Sequence, residues 1–312
     1  MSGNKKIISS LLLLLVFTLF YPSNLLASDL SDSLPDFDSK YLEDAEGKEI
    51  ESDTGSQSSD VRIEINVAAR KLYLFEDDDL VRSFSIAVGT SRHRTPTGRR
   101  YMQQIVWNPW WIPPKSDWAK DDKKTPPGPR NPLGPVKMNL GKAILIHGTS
   151  QPRSIGRAAS HGCMRMLSSQ AKELARWIQE TIVKDNDPGV FSKYNKNAKR
   201  SYYINLPQHI PVDIKYDVVK VQDDKLYIYQ DVYARAHGKK MKLIQKTLKD
   251  AGLDPDEYKL DFIEKQIRTT AKADFSFDLN KVKLSKKEIK KIRKAKKKEK
   301  KKQKKYALLE EG

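Results

Sequence analysis

Apolar and polar residues alternate from Val61 to Val67. Val61, Ile63, Ile65 and Val67 fall on one face, and Arg62, Glu64 and Asn66 on the other. A period of two predicts a strand with one buried face. Lys71–Phe75 reads as a second strand after a short connection at Asn66–Arg70. An acidic turn at Glu76–Asp79 leads to a third strand, Leu80–Val88, completing an antiparallel meander. Thr95-Pro96-Thr97-Gly98 reads as a turn and Arg99–Val106 as a strand. Trp107–Val136 shows no period and holds eight prolines with Trp107, Trp110, Trp111 and Trp118. Stretches of this length inside a domain are usually lids or binding surfaces. Ala143–Ile146 predicts a short buried strand, His147–Ser160 a loop and Cys163–Met166 another short strand.

A helical period follows. Ser168 or Ser169 is placed to cap a helix reaching about Val183, with Leu174, Trp177, Ile178 and Ile182 as its apolar stripe. Residues 202–233 return to strand, as Val212–Val221 and Leu226–Val232 about an Asp223-Asp224 turn. Three further helices are predicted. His237–Ala251 is stopped by Gly252, the next starts at Asp254 with Pro255 in its first position, and the last starts at Ser285, where Glu288 completes a capping box. No internal repeat is visible.

The chain ends differ from this middle. Lys5 and Lys6 precede an apolar run, Ile7–Phe20, broken by Pro22, Ser23 and Asn24, with Ala27 suited to cleavage. Residues 1–27 therefore read as an export signal, with an uncleaved anchor as the alternative. Residues 28–60 are acidic and Ser-rich, a flexible linker by composition. The net charge of +18 suggests a nucleic-acid protein until it is located. Sixteen Lys/Arg against Glu288 and Glu299 lie in residues 281–305, so the remaining body is close to neutral. With export, this argues against nucleic acid. The tail reads first as a solvated helix or disordered arm, and otherwise as an attachment to anionic envelope polymers or membrane head groups.

Cys163 is the one cysteine, so it cannot pair within the chain. Its surroundings carry chemistry. A thiol attacks as thiolate and needs a base or cation beside it. His147 ends an apolar strand sixteen residues earlier, a spacing that lets the two meet on adjacent strands. The Gly148 carbonyl is free to hold one imidazole N–H and set the tautomer. The backbone N–H groups of Gly162 and Cys163 are placed to face a developing oxyanion. Arg165, two residues on, shares the nucleophile's strand face and can hold a carboxylate bidentately. Blander readings stand beside these: a core histidine, a buried thiol, a surface Arg. A zinc site at His161 and Cys163 would have only His93 and His147 nearby and lacks a C-x-x-C pair. No metal or cofactor is expected.

The run Ser160-His161-Gly162-Cys163-Met164-Arg165, with His147-Gly148-Thr149 upstream, closely resembles the L,D-transpeptidase catalytic (YkuD-type) domain. Val61–Phe75 resembles that domain's first hairpin, and Val88-Gly89 with Thr95–Gly98 its second signature. Gly128-Pro129-Arg130-Asn131-Pro132-Leu133-Gly134 and Arg165, where other members carry Asn, resemble the Gram-negative envelope branch. The resemblance spans roughly 61–235. It implies a mainly β, sandwich- or barrel-like catalytic domain with one or two helices; outside it, the sequence pattern itself gives a helical extension (236–280) and a Lys-rich, basic C-terminal tail (281–312). It further implies a periplasmic or envelope enzyme acting on peptidoglycan stem peptides. Cys163 is then the nucleophile, His147 the acid/base and Gly148 its orienter, with Ser160, His161, Gly162, Arg165 and Thr149 around substrate and oxyanion. Trp107 and Trp111 would contact the stem or only pin the loop. The acyl acceptor stays open between an amine and water, and a non-catalytic envelope-binding protein is the remaining alternative.

Overall fold

The computed structural model describes residues 60–184, 187–269 and 273–310. The expected signal and nearly all of the linker lie outside them. The elements in chain order are β1 (Val61–Asn66), β2 (Lys71–Glu76), β3 (Asp79–Ser85), β4 (Val88–Gly89), β5 (Gly98–Trp107), β6 (Val136–Asn139), β7 (Leu145–His147), β8 (Ala158–Ser160) and β9 (Met164–Arg165). Then come α1 (Ser168–Ile178), α2 (Pro188–Lys196), β10 (Tyr202–Lys215), β11 (Val219–Gln222), β12 (Lys225–Ile228), α3 (Lys240–Asp250), α4 (Leu260–Thr269), β13 (Phe275–Asp278), α5 (Leu279–Val282) and α6 (Lys286–Glu310).

Eight strands form the main sheet in the order β3-β2-β1-β10-β5-β6-β7-β9. β1 with β10 and β7 with β9 run parallel, and the other neighbours antiparallel. The part that holds the main sheet is mainly β, as the alternating pattern implies. Its inward residues, among them Ile63, Leu74, Ile105, Met138, Ile146 and Met164, are buried with Leu174 and Ile178 of α1 in one cluster. Burying each such side chain contributes about 1.5–3 kcal/mol. This packing holds β7 and β9 side by side, and both bear site residues.

Several expectations are corrected. The third strand stops at Ser85. Ala87 exchanges backbone bonds with Arg165, and Val88–Gly89 pairs instead with β8. The strand expected over Val212–Val221 breaks after Lys215 because the Asn66 carboxamide takes both backbone groups of Asp217 (Nδ2 to O 3.0 Å, N to Oδ1 3.1 Å). Leu167, without a side-chain cap bond, precedes α1, and the Ser168 hydroxyl donates to the Thr149 carbonyl. The helix reaches Val183 only through a π turn, Gln179–Val183.

Two elements were not anticipated. The Asp187 side chain accepts from Gly189 N at 2.8 Å and Pro188 opens α2. β13 completes a three-stranded sheet, β11-β12-β13. A second apolar cluster joins this sheet to α3 and α4 through Leu226, Ile228, Ile244, Leu248 and Ile263. The extension is therefore mixed α and β. Asp254 with Pro255 starts a 3-10 turn, Pro255–Glu257, before α4. α6 begins with the anticipated capping box, with Glu288 Oε2 accepting from Ser285 N at 2.8 Å.

In the Trp/Pro-rich loop, Pro114–Lys120 contains a 3-10 turn, Asp117–Ala119. The rest of the loop is stapled by Asn131, which is 1% exposed. Its Nδ2 donates to the Pro109, Thr125 and Pro126 carbonyls (2.9, 3.2 and 3.1 Å), and its Oδ1 accepts from Leu133 N at 2.9 Å. Trp107 lies in the core, 5.1 Å from the Tyr194 ring and bonded to Gln179, and is not available to substrate. Trp111 exchanges two backbone bonds with Thr125, and Trp110 is exposed.

Candidate active site

His147 closes β7, and its register places it between two cations. Lys137 on β6 is its partner on one side and Arg165 on β9 its partner on the other. Directly opposed residues share a face, so the three side chains form a row. Cys163 immediately precedes β9, two residues before Arg165, and the charges of Arg165 and Lys137 act on its thiol. The partly buried thiol donates to the Ala143 carbonyl at 3.5 Å.

The imidazole is buried, and its Nδ1 lies 2.5 Å from the Gly148 oxygen. A carbonyl only accepts, so Nδ1 carries the proton and Nε2 keeps its lone pair. Burial pulls the His147 pKa down to about 4. The Gly148 and Leu133 backbone bonds oppose that fall, while Arg165 and Lys137 add to it. The ring is neutral at pH 7, with the Nε2 lone pair open to a proton, although burial makes it a weaker base than an ordinary histidine. Burial pushes the Cys163 thiol up, and a Leu145 backbone bond, Arg165 and Lys137 draw it back. The resting pair is therefore thiol and neutral imidazole. Burial also lowers Lys137 below the usual lysine value, which the thiol partly offsets.

Around Cys163 the contacts divide. Ser160 is 1% exposed and its hydroxyl turns into the loop, donating to the Cys163 carbonyl (2.6 Å) and accepting from Gly162 N (3.1 Å). It does not face a pocket, and the Gly162 N–H is taken up there rather than aimed at an oxyanion. Gly162 has φ 116°, a conformation that favours glycine. Thr149 is buried as well; its hydroxyl accepts from Gln151 N at 3.0 Å and its carbonyl accepts from Ser168 Oγ, so it fixes the loop. His161 is exposed, with its ring 4.6 Å from that of His93. Burial, then His93 and Arg165, lower its pKa. Arg165 Nη1 donates to Gln151 Oε1 at 3.2 Å. Among the described residues no group of three or more His, Cys, Asp or Glu gathers as metal ligands.

Sequence reasoning passed over Lys137 and Thr95. Lys137 is one polar residue between Val136 and Met138, with nothing local to mark it. Thr95 was read only as a turn, but its hydroxyl donates to the Gly162 carbonyl at 2.8 Å.

The L,D-transpeptidase catalytic domain model (YkuD) matches residues 60–205. A Bacillus licheniformis protein named as an L,D-transpeptidase, YkuD, is 35% identical over 115 residues, 36% of this chain and 58% of that protein. An Escherichia coli protein named as an L,D-transpeptidase, ErfK/SrfK, is 32% identical over 123 residues, 36% of this chain and 39% of that protein. The chain thus spans about two-fifths to three-fifths of these relatives' length. The solved catalytic domain of an Enterococcus faecium L,D-transpeptidase aligns at 17% identity and a TM-score of 0.33, covering 51% of this chain and 99% of that one. The matched segment begins one residue before β1 and ends within β10, taking in both His147 and Cys163. Over residues 60–205, just under half of its length, the chain thus matches the L,D-transpeptidase catalytic domain of the YkuD family.

Proposed function

We propose that this protein is an exported cysteine acyltransferase of the cell envelope, acting on peptidoglycan tetrapeptide stems. The observation carrying this reading is the Nδ1-protonated, neutral His147 on the strand paired with the one that Cys163 leads into. Cys163 Sγ attacks the carbonyl of the third stem residue, the L-centre of diaminopimelate, and gives its proton to His147 Nε2. The oxyanion of the tetrahedral intermediate accepts from the Cys163 N–H. Collapse breaks the C–N bond to the terminal D-Ala, whose nitrogen takes the proton from His147. An amine acceptor then attacks the thioester, His147 takes its proton, and collapse returns the sulfur, which is reprotonated. Arg165 and His161, at the mouth, meet the substrate's carboxylates.

The acceptor is an amine in this reading, giving a 3→3 cross-link or a protein anchored to the wall. Water in its place would make the same site an L,D-carboxypeptidase. Disaccharide-tetrapeptide incubated with wild type and with Cys163→Ala, followed by mass spectrometry, decides between them. Cross-linked dimers support transfer, and shortened monomers alone would assign hydrolysis. Neither product from wild type, with the thiol free, would overturn the enzymatic reading.

The basic helix α6 serves as an electrostatic attachment to anionic envelope polymers or lipid head groups. Supporting this, the helix is lysine-rich and exposed from Lys286 to Gln303 apart from the half-buried Ile289 and Ile292, while Arg293 and Lys296 pair with Asp254, Asp256 and Glu257.

A further inference from the structure

Tyr233 lies beyond the matched catalytic segment yet reaches the nucleophile's loop. It is 2% exposed, and its hydroxyl makes two buried bonds, donating to the Gly89 carbonyl (2.9 Å) and accepting from Thr95 N (2.9 Å). Thr95 carries the link onward from Gly89 to Gly162. Its Oγ1 accepts from Gly89 N at 2.8 Å and donates to the Gly162 carbonyl at 2.8 Å. The two segments approach closely here, since a Cβ on Gly89 would collide with the His93 carbonyl and Thr95 N. The phenol is itself fixed. Its ring stacks on Tyr216 at 5.1 Å, and Tyr216 OH donates to Asp231 (2.6 Å) and accepts from Tyr233 N (2.8 Å).

The Gly162 carbonyl and the Cys163 N–H belong to one planar trans peptide unit and point in opposite directions. Anchoring the oxygen therefore aims the N–H. With the Gly162 N–H taken by Ser160, the Cys163 N–H is the donor that remains of the expected pair. Hydrogen-bonding the carbonyl also polarises the amide and strengthens its N–H as a donor. We propose that Tyr233 is a positioning residue for acyl transfer: through Thr95 and the Gly162 carbonyl it orients the Cys163 N–H toward the oxyanion. This rests on the acyltransferase reading above and adds to it a part of the chain outside the matched domain.

Two reactions at the same sulfur separate this role from simple bracing. Alkylation by iodoacetamide expels iodide from a CH2 group and forms no oxyanion. Acylation by a carbapenem or a tetrapeptide passes through one. In the full chain, Tyr233→Phe keeps the stacked ring and removes only the hydroxyl. Acylation, followed by intact-protein mass spectrometry, is expected to slow on the order of ten- to a hundredfold. The alkylation rate and its pH profile should stay as in wild type. Thr95→Val should show the same split, and the double variant should be no slower than the slower single one, because both act through one carbonyl. Equal loss of both rates, or loss of neither, in the folded variants would overturn the inference while leaving acyl transfer intact. If Tyr233→Phe does not fold, Thr95→Val provides the same readout. A wild type that is alkylated but never acylated would remove the acyltransferase reading and this role together.

Discussion

Lys137 lies directly across from His147 on the adjacent strand, placing an ammonium beside the catalytic face from a position with no place in the nucleophile motif. Its charge favours the Cys163 thiolate and disfavours a protonated His147. Lys137→Met should slow iodoacetamide alkylation of Cys163 near pH 8 on the order of tenfold. The acid limb of the acylation profile should move to higher pH, as His147 is released from one neighbouring cation. Lys137→Arg should keep both properties. Unchanged profiles in Lys137→Met would show that solvent screens the lysine.

The pH dependence follows from burial of His147. Its folded pKa, about 4, lies below the ordinary value of 6.5. A depressed histidine favours the folded state above pH 6.5, and that contribution is lost as pH falls from 6.5 toward 4, amounting to about 3 kcal/mol at full extent. Urea unfolding midpoints at pH 7 and pH 4.5 should differ markedly in wild type. The difference should shrink in His147→Gln. Acylation should hold from neutrality to about pH 5 and fall below it.

Asn131 joins both sides of the Trp/Pro loop through one buried carboxamide. Asn131→Leu leaves the Pro109 carbonyl and the Leu133 N–H without that partner and should cost about 2–4 kcal/mol. Hydrogen exchange should quicken at Trp111 and Thr125, whose mutual backbone bonds depend on the staple. Leu133 borders Gly134 and Pro135, which pack against Gly148, so acylation should slow as well.

Deleting residues 286–312 should leave acylation of Cys163 unchanged, since α6 packs on the Pro255–Glu257 turn. Sedimentation with anionic vesicles or wall polymer should be lost at low salt, and in the full chain it should weaken steeply as salt is raised. Equal sedimentation of both proteins would remove the attachment role.

Much of the fold was legible because one-face burial writes a period of two into Val61–Val67 and Lys71–Phe75. The errors cluster where a side chain overrides the period. Val212–Val221 alternates well enough for one strand, yet Asn66, far away in sequence, intercepts the backbone at Asp217. Ser168 has the chemistry of a cap, but the Thr149 carbonyl lies within its reach and holds it instead. Asp187-Pro188 was a readable helix start that went unread, and Phe275-Ser276-Phe277 too short an alternation to stand alone.

The site divides the same way. Cys163, His147 and the intervening spacing are local text, because a nucleophile and its base must be particular residue types at particular strand ends. Which neighbours tune them is not written locally. Lys137 acts through strand register, Ser160 takes up the Gly162 N–H only because the turn folds over it, and Tyr233 arrives from 70 residues beyond Cys163. The chain alone determined the chemistry available, since that depends on residue identity. Only the tertiary structure decided which groups are buried, charged and aimed, because desolvation and hydrogen-bond direction depend on what packs alongside.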